Sequence, residues 1–111
     1  MAESYLYEQI SVPASELRRL FNEARIVERA AHGELLHFTG YDTALSKQMC
    51  RRKNLPAGAR SQTVVYQTLD HKFVALAHQY KLKDGGLGAS GRPDPKTLVL
   101  GSVQYTIDHD A

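Results

Sequence analysis

The chain has 111 residues, of which 42% are apolar, and a formal net charge of +2. This length supports one hydrophobic core but not two, so the sequence predicts a single globular domain over residues 1–111. The lone cysteine, Cys50, excludes an internal disulfide. No basic N-terminal start leads into the apolar stretch of a signal peptide, and no apolar run approaches the ~20 residues that cross a bilayer. We therefore expect a cytoplasmic protein that does not associate with a membrane.

Charge is distributed unevenly along the chain. Residues 1–50 carry five Lys or Arg and seven Asp or Glu, residues 51–96 carry nine and three, and residues 97–111 carry none and two. A basic middle segment between acidic ends is typical of a protein that binds a polyanion or an acidic partner. The alternative is a set of solvated side chains on several surfaces, because proximity in sequence does not establish a patch in space.

The first elements are predicted to be a strand and a helix. Residues 4–12 are rich in β-forming residues and alternate in part, which predicts a short strand. Pro13 fits the first turn of a helix, and Gly33 would end that helix. Between them, apolar residues recur at spacings of three and four: Leu17, Leu20, Phe21, Ala24, Val27 and Ala31.

A second strand and a second helix follow. Residues 34–39 lie between two glycines and predict a strand. The second helix is expected to begin at Asp42, whose carboxylate can accept from the free N–H groups of the first turn, and to end before Pro56. Cations stabilise the last turn of a helix, and three are found there: Arg51, Arg52 and Lys53.

Strand-like segments occupy most of the remaining chain. Residues 62–69 alternate, and Asp70 and His71 predict a two-residue turn into a strand over residues 72–83. Both sides of that strand are apolar at its start, which places it in the centre of a sheet. Residues 97–107 form either one strand with a bulge at Gly101 or a hairpin that turns at Gly101 and Ser102.

The element order is therefore β-α-β-α-β-β-β, with local hairpins toward the C-terminus. It predicts an α+β fold in which two helices pack on one face of a mainly antiparallel sheet of four to five strands. The expected core residues are Leu17, Leu20, Phe21, Leu45, Met49, Val64, Val74 and Leu76.

The segment from Lys83 to Lys96, KDGGLGASGRPDPK, is the most unusual in the chain. Its fourteen residues contain four of the eight glycines and two of the four prolines. Loops longer than roughly 12 residues are usually functional or disordered. Residues 86–91 match G-x-G-x-x-G, but Pro93 and Pro95 prevent the helix that a dinucleotide site requires. The glycine N–H groups beside Arg92 could instead form a small anion-binding nest, the alternative being an ordinary glycine-rich loop.

The second candidate site is the basic end of the second predicted helix. If it lies beside the long loop, the cations of both segments form one phosphate-reading surface. The residues predicted to bind an anion or a partner are Arg51, Arg52, Lys53, Arg60, Lys83, Gly88, Gly91, Arg92 and Lys96. Nucleic acid and an acidic protein surface are about equally favoured, and the tyrosines available for base stacking are Tyr66, Tyr80 and Tyr105.

Five histidines raise the question of catalysis. No H-x-x-x-H or C-x-x-C spacing is present, so we expect no metal and no cofactor. The lack of a coherent catalytic constellation favours a small non-catalytic binding or regulatory protein. One alternative is a metal-free ribonuclease, whose weak catalytic candidates are His71, His78 and Tyr80, assisted by Arg60 and Arg92. The other is an interaction or inhibitor module with no nucleic-acid role.

Overall fold

The computed structural model describes residues 7–109, so residues 4–6 of the predicted first strand lie outside it. The strands in this range are β1 (Glu8–Val12), β2 (Leu36–Ala44), β3 (Arg60–Gln67), β4 (Phe73–Lys81), β5 (Asp94–Leu100) and β6 (Val103–Ile107). The helices are α1 (Ala14–Glu23), α2 (Ile26–Ala31) and α3 (Lys47–Arg52). Across the described range, each helix is too short or too polar to cross a membrane.

The strands form one mixed sheet in the order β1-β6-β5-β4-β3-β2. β1 runs parallel to β6, and the other neighbouring strands are antiparallel. The predicted α+β class and the central place of β4 are confirmed, but the predicted four to five strands are too few. The additional strand arises because residues 97–107 form a hairpin, with Gly101 at φ 60° in the turn between β5 and β6.

The first predicted helix is divided into α1 and α2. Arg25 between them adopts φ 56°, in the left-handed region that few residues other than glycine enter. This turn changes which side chains face inward in α2, where Ile26 and Ala30 are buried while Val27 is partly buried and Ala31 is exposed. The extra helix of the structure therefore comes from a backbone break that the apolar spacing does not reveal.

The predicted start of the second helix at Asp42 is wrong. β2 continues through this residue to Ala44, and α3 begins at Lys47, where the Ser46 hydroxyl accepts from the Met49 N–H at 3.1 Å. Asp42 instead accepts a hydrogen bond from Arg60 Nε at 2.8 Å, and this contact holds the pKa of the Asp42 carboxyl below its usual range. Strand pairing with β3 thus overrides the capping preference of the aspartate.

The turn between β3 and β4 is longer than the predicted two residues. It spans residues 68–72, with His71 at φ 69°. The Lys72 N–H donates to the Thr68 hydroxyl at 3.0 Å, and the His71 N–H donates to the Thr68 carbonyl at 2.9 Å. Thr68 therefore organises this turn, and a β-bulge beside Gln67 adjusts the register of the two strands.

Two groups of buried residues hold the elements together. The larger joins α1 and α2 to the sheet and comprises Leu17, Phe21, Ile26, Ala30, Leu35, Val64, Tyr66, Val74, Ala75, Ala77 and Leu98. The smaller, called the α3 cluster below, comprises Cys50, Leu55 and Ala59, with Leu45, Tyr80 and Leu82 packed against them. Four predicted core residues are buried, namely Leu17, Phe21, Val64 and Val74, and four are only partly buried, namely Leu20, Leu45, Met49 and Leu76. Leu76 stays partly exposed because the α3 cluster contacts β4 only near its C-terminal end, at Tyr80.

Candidate functional site

The glycine-rich segment folds back along the end of β4. The Gly88 N–H donates to the Tyr80 carbonyl and the Leu82 N–H donates to the Gly86 carbonyl, both at 2.8 Å. Pro93 is buried at the end of this segment, and β5 begins directly after it at Asp94. The loop is therefore shorter than the sequence suggests, because its last three residues, 94–96, belong to a strand.

Two glycines in this loop have different structural roles. A Cβ atom added at Gly88 would lie 2.5 Å from Leu55 Cδ2, closer than carbon atoms can approach, and 3.1 Å from Leu82 Cδ2, a tight contact. Gly91 has open space around it but adopts φ 79°, which favours glycine. Gly88 lets the loop lie on the α3 cluster, whereas Gly91 permits the turn that leads to Arg92.

A cleft of about 350 Å³ lies between the end of β4, this loop and the start of β5. Its volume is in the usual range for small-ligand sites, about 300 to 1,000 Å³. The lining residues are Arg18, His78, Gln79, Tyr80, Gly88, Ala89, Ser90, Arg92, Asp94 and Lys96. The cleft thus brings together five residues that the sequence singles out from separate segments, namely His78, Tyr80, Gly88, Arg92 and Lys96.

The cations at this cleft differ in whether a carboxylate contacts them. Asp94 contacts both Lys96 Nζ at 3.2 Å and Arg18 Nη1 at 3.6 Å. The Lys53 ammonium lies 5.5 Å from the ring centroid of Tyr80, and no carboxylate among residues 7–109 forms an ion pair with it. Each of these side chains remains partly or largely exposed to solvent, so the ion pairs are weak and an incoming anion can compete for them.

Arg92 has a partner in each of two helices. Its Nε donates to Asn22 Oδ1 in α1 at 3.3 Å, and its Nη1 donates to Glu28 Oε2 in α2 at 3.2 Å. These contacts join the loop to α1 and α2, and the Arg92 guanidinium also lies within electrostatic range of the Tyr66 hydroxyl. Arg92 therefore anchors the loop in this structure while one side of the residue lines the cleft.

His78 is the titratable residue of most interest on the floor of the cleft. Its Nε2 lies 2.7 Å from the Ser61 hydroxyl, and its ring contacts Tyr80 edge to face with centroids 4.7 Å apart. Burial, and then the nearby Lys96 ammonium, lower the pKa of His78 from its usual value. The lowered pKa favours the neutral imidazole, which can accept a proton.

Other residues predicted to act together lie apart from the cleft lining. Arg51 and Arg52 are exposed in α3 without an ion pair among the described residues. Arg60 contacts Asp42, and the aliphatic carbons of Lys83 lie against Gly58. His71 lies in the turn at the opposite end of β4 from Tyr80. Sequence reasoning did not identify Arg18, Ser61 or Asp94 as site residues, because only long-range pairing brings them to the cleft.

Similarity to known proteins does not assign this cleft. No protein-family model matches the chain, and no curated protein or solved structure is significantly similar to it. Within residues 7–109, no three His, Cys, Asp or Glu side chains are grouped so that they could hold a metal ion. The side chains that line the cleft offer a ligand ammonium, guanidinium, imidazole, amide, hydroxyl and carboxylate groups.

Proposed function

We propose that this protein is a non-catalytic binding protein that recognises single-stranded nucleic acid through the cleft and the neighbouring end of α3. The observation that carries the proposal is a series of cationic and aromatic side chains at and beside the cleft. Lys53 lies over the Tyr80 ring, Tyr80 contacts His78, and Lys96 follows on β5. Cations beside aromatic rings are the usual combination in proteins that bind nucleic-acid strands, because phosphates and bases are contacted together.

Charge supports an anionic ligand. The cations Arg18, Lys53, Arg92 and Lys96 lie at or beside the cleft, and two carboxylates, Asp94 and Glu28, form ion pairs with them among the described residues. Arg51 and Arg52, in the last turn of α3 just before Lys53, add further exposed positive charge. A phosphate bound in the cleft would take the place of Asp94 as the negatively charged partner of Lys96.

Shape favours a nucleotide unit over an acidic protein surface. Protein interfaces typically bury about 800 Å² on each partner and are broad, whereas this cleft is concave and close to the size of one nucleotide. Tyr80 and His78 give the floor two flat rings, which an acidic peptide would not need.

Removing two cations tests the proposal. The double variant Lys53→Gln/Lys96→Gln should bind a labelled single-stranded oligonucleotide roughly tenfold or more weakly, since hydrogen bonds to charged groups contribute about 1.5 to 3 kcal/mol each. The slope of log affinity against log salt should fall by about 1.4, because each phosphate contact on a single strand contributes ~0.7. Fluorescence anisotropy over a salt series measures both quantities.

The matched control is Arg29→Gln/Lys72→Gln, which removes the same charge beside a separate cavity near the other end of β4. This control should retain the affinity and salt slope of the unmodified protein. Equal losses in the two double variants would show that only net charge matters and would refute the cleft. Tighter binding of labelled poly-glutamate than of oligonucleotide would instead identify an acidic protein as the partner.

A metal-free ribonuclease is the second candidate, and it is supported by the neutral His78 with the Ser61 hydroxyl and Lys96 nearby. His78 would take the proton of the 2′-hydroxyl as that oxygen bonds to phosphorus, Lys96 would stabilise the charge that develops on the phosphate, and the 5′-oxygen would leave with a proton from water. His78→Asn should then abolish cleavage of single-stranded RNA in the presence of EDTA, while His71→Asn should leave it unchanged. Activity should decline as pH falls through the lowered pKa of His78, because a general base must be unprotonated. A chain that binds RNA without shortening it rules this candidate out.

A further inference from the structure

Along the outer edge of β2, the backbone N–H and C=O groups face no neighbouring strand among the described residues. β2 is the last strand of the sheet and pairs only with β3 among the described residues. Over its nine residues, LHFTGYDTA, the only carboxylate is Asp42, and there is no lysine, arginine or proline. Long edge strands with few charges readily pair with another strand, and proteins protect them with charges, prolines or bulges, of which β2 has only Asp42 and a bulge at Gly40.

A bulge at Gly40 gives this edge a particular pattern. The register with β3 shifts there, so that Phe38 lies opposite Val65 and Tyr41 lies opposite Thr63. In a regular strand two residues three positions apart point to opposite sides, but the extra residue places Phe38 and Tyr41 on the same side. Both rings are well exposed, Phe38 at 48% and Tyr41 at 62%.

The other side of the strand has a complementary pattern. His37 lies opposite Tyr66 on β3, with the two rings stacked at a centroid distance of 6.1 Å. Asp42 lies opposite Gln62, which faces the same side of β3 as Tyr66. His37 and Asp42 therefore share the core-facing side of the sheet, and they lie two residues before Thr39 and two residues after Gly40.

We propose that two copies of this chain associate by pairing their β2 strands antiparallel, about a twofold axis between Thr39 and Gly40. The opposed residues are then His37 with Asp42 and Phe38 with Tyr41, while Thr39 and the bulged Gly40 lie at the axis outside a regular ladder. A twofold axis perpendicular to the sheet keeps each side of one copy next to the same side of the other. Both copies together form one continuous sheet of twelve strands.

The β2 strand is complementary to itself in this register, and this identifies a second copy of the chain as the partner at its edge. Each exposed ring faces a ring, and each imidazole faces the Asp42 carboxylate, which also binds Arg60, when the strand meets its own sequence in this register. The bulge is essential, because without it this register would place Phe38 and Tyr41 on opposite sides. β2 is separated from β5 by two strands, so dimerisation leaves the cleft open and is independent of nucleic-acid binding.

Sedimentation equilibrium of the full chain over a concentration series tests the dimer. The unmodified protein should approach twice its 12.4 kDa mass. The variants Phe38→Lys and Tyr41→Glu should each raise the dimer dissociation constant by about tenfold or more. Their combination, Phe38→Lys/Tyr41→Glu, should restore association, since each new lysine would face a glutamate. Leu69→Lys, at an exposed residue in the β3–β4 turn, is the control and should remain dimeric.

The register has a direct readout that does not depend on the stability of the charged variants. In an equimolar mixture of Phe38→Cys and Tyr41→Cys proteins, the mixed disulfide should clearly exceed half of the disulfide product, the share that random pairing gives, because only the mixed pair is opposed. The native Cys50 is buried and does not compete. A monomer at millimolar concentration would overturn the proposal. So would a dimer that is insensitive to both single variants, or random disulfide pairing.

Discussion

Phe21→Ala should lower the free energy of unfolding by about 3 to 5 kcal/mol, the usual cost of removing a buried phenylalanine. The Phe21 side chain is fully buried, and its ring meets Tyr66 edge to face with centroids 6.0 Å apart. It joins α1 to the centre of the sheet, so little of the resulting cavity can close without moving the helix. Domains are typically stable by only about 5 to 15 kcal/mol, so this loss would leave much of the chain unfolded on warming. Urea denaturation followed by circular dichroism measures it.

Phe73→Ala is the matched control for this experiment. Phe73 begins β4 and remains 37% exposed, so its removal should cost clearly less than that of Phe21. Similar losses for both variants would show that α1 does not depend on Phe21 for its attachment to the sheet.

Gly88→Val should destabilise the protein by about 1 to 3 kcal/mol through overpacking. The expected cause is steric, because the new side chain would overlap Leu55 Cδ2 and Leu82 Cδ2 of the α3 cluster. Unlike Gly91, Gly88 does not adopt a positive φ, so backbone strain is not involved. Displacing Leu55 should also open the cluster, and labelling of the buried Cys50 by a thiol reagent should therefore become faster.

Gly40→Ala is the corresponding control, because a Cβ atom there would meet Thr63 and Val65 at 3.5 Å, an ordinary contact. It should leave stability and Cys50 labelling nearly unchanged. If Gly88→Val behaves like Gly40→Ala, the loop does not lie on the α3 cluster in solution, and the wall of the cleft would have to be reassigned.

Several features of the fold could be predicted from local patterns. The apolar spacing identified α1 and its buried residues Leu17 and Phe21. Two apolar sides placed β4 in the interior of the sheet, where it lies between β3 and β5. The exceptional glycine content of residues 83–96 singled out the loop that lines the cleft, whereas the basic last turn of α3 lies outside the cleft lining. These inferences depend on neighbours within a few residues, and the printed sequence contains them.

Other features depend on contacts between distant parts of the chain. The left-handed Arg25 divides the first helix, although the apolar spacing continues across it. Asp42 has the properties of a helix cap, but its carboxylate contacts Arg60 because β2 pairs with β3. Similarly, Arg92 anchors to Glu28, 64 positions earlier, and no local pattern signals that contact.

The sequence by itself determined the α+β class, the amphipathic first helix, the central strand and an excess of cations in the middle of the chain. Local periodicity and composition are sufficient for these properties because they concern single elements. Only the tertiary structure decided which cations lie near His78 and Tyr80, at which glycine an added side chain would clash, and which strand lies at the edge of the sheet. Those outcomes follow from sheet order and from the bulge at Gly40, since pairing register selects which side chains share a side.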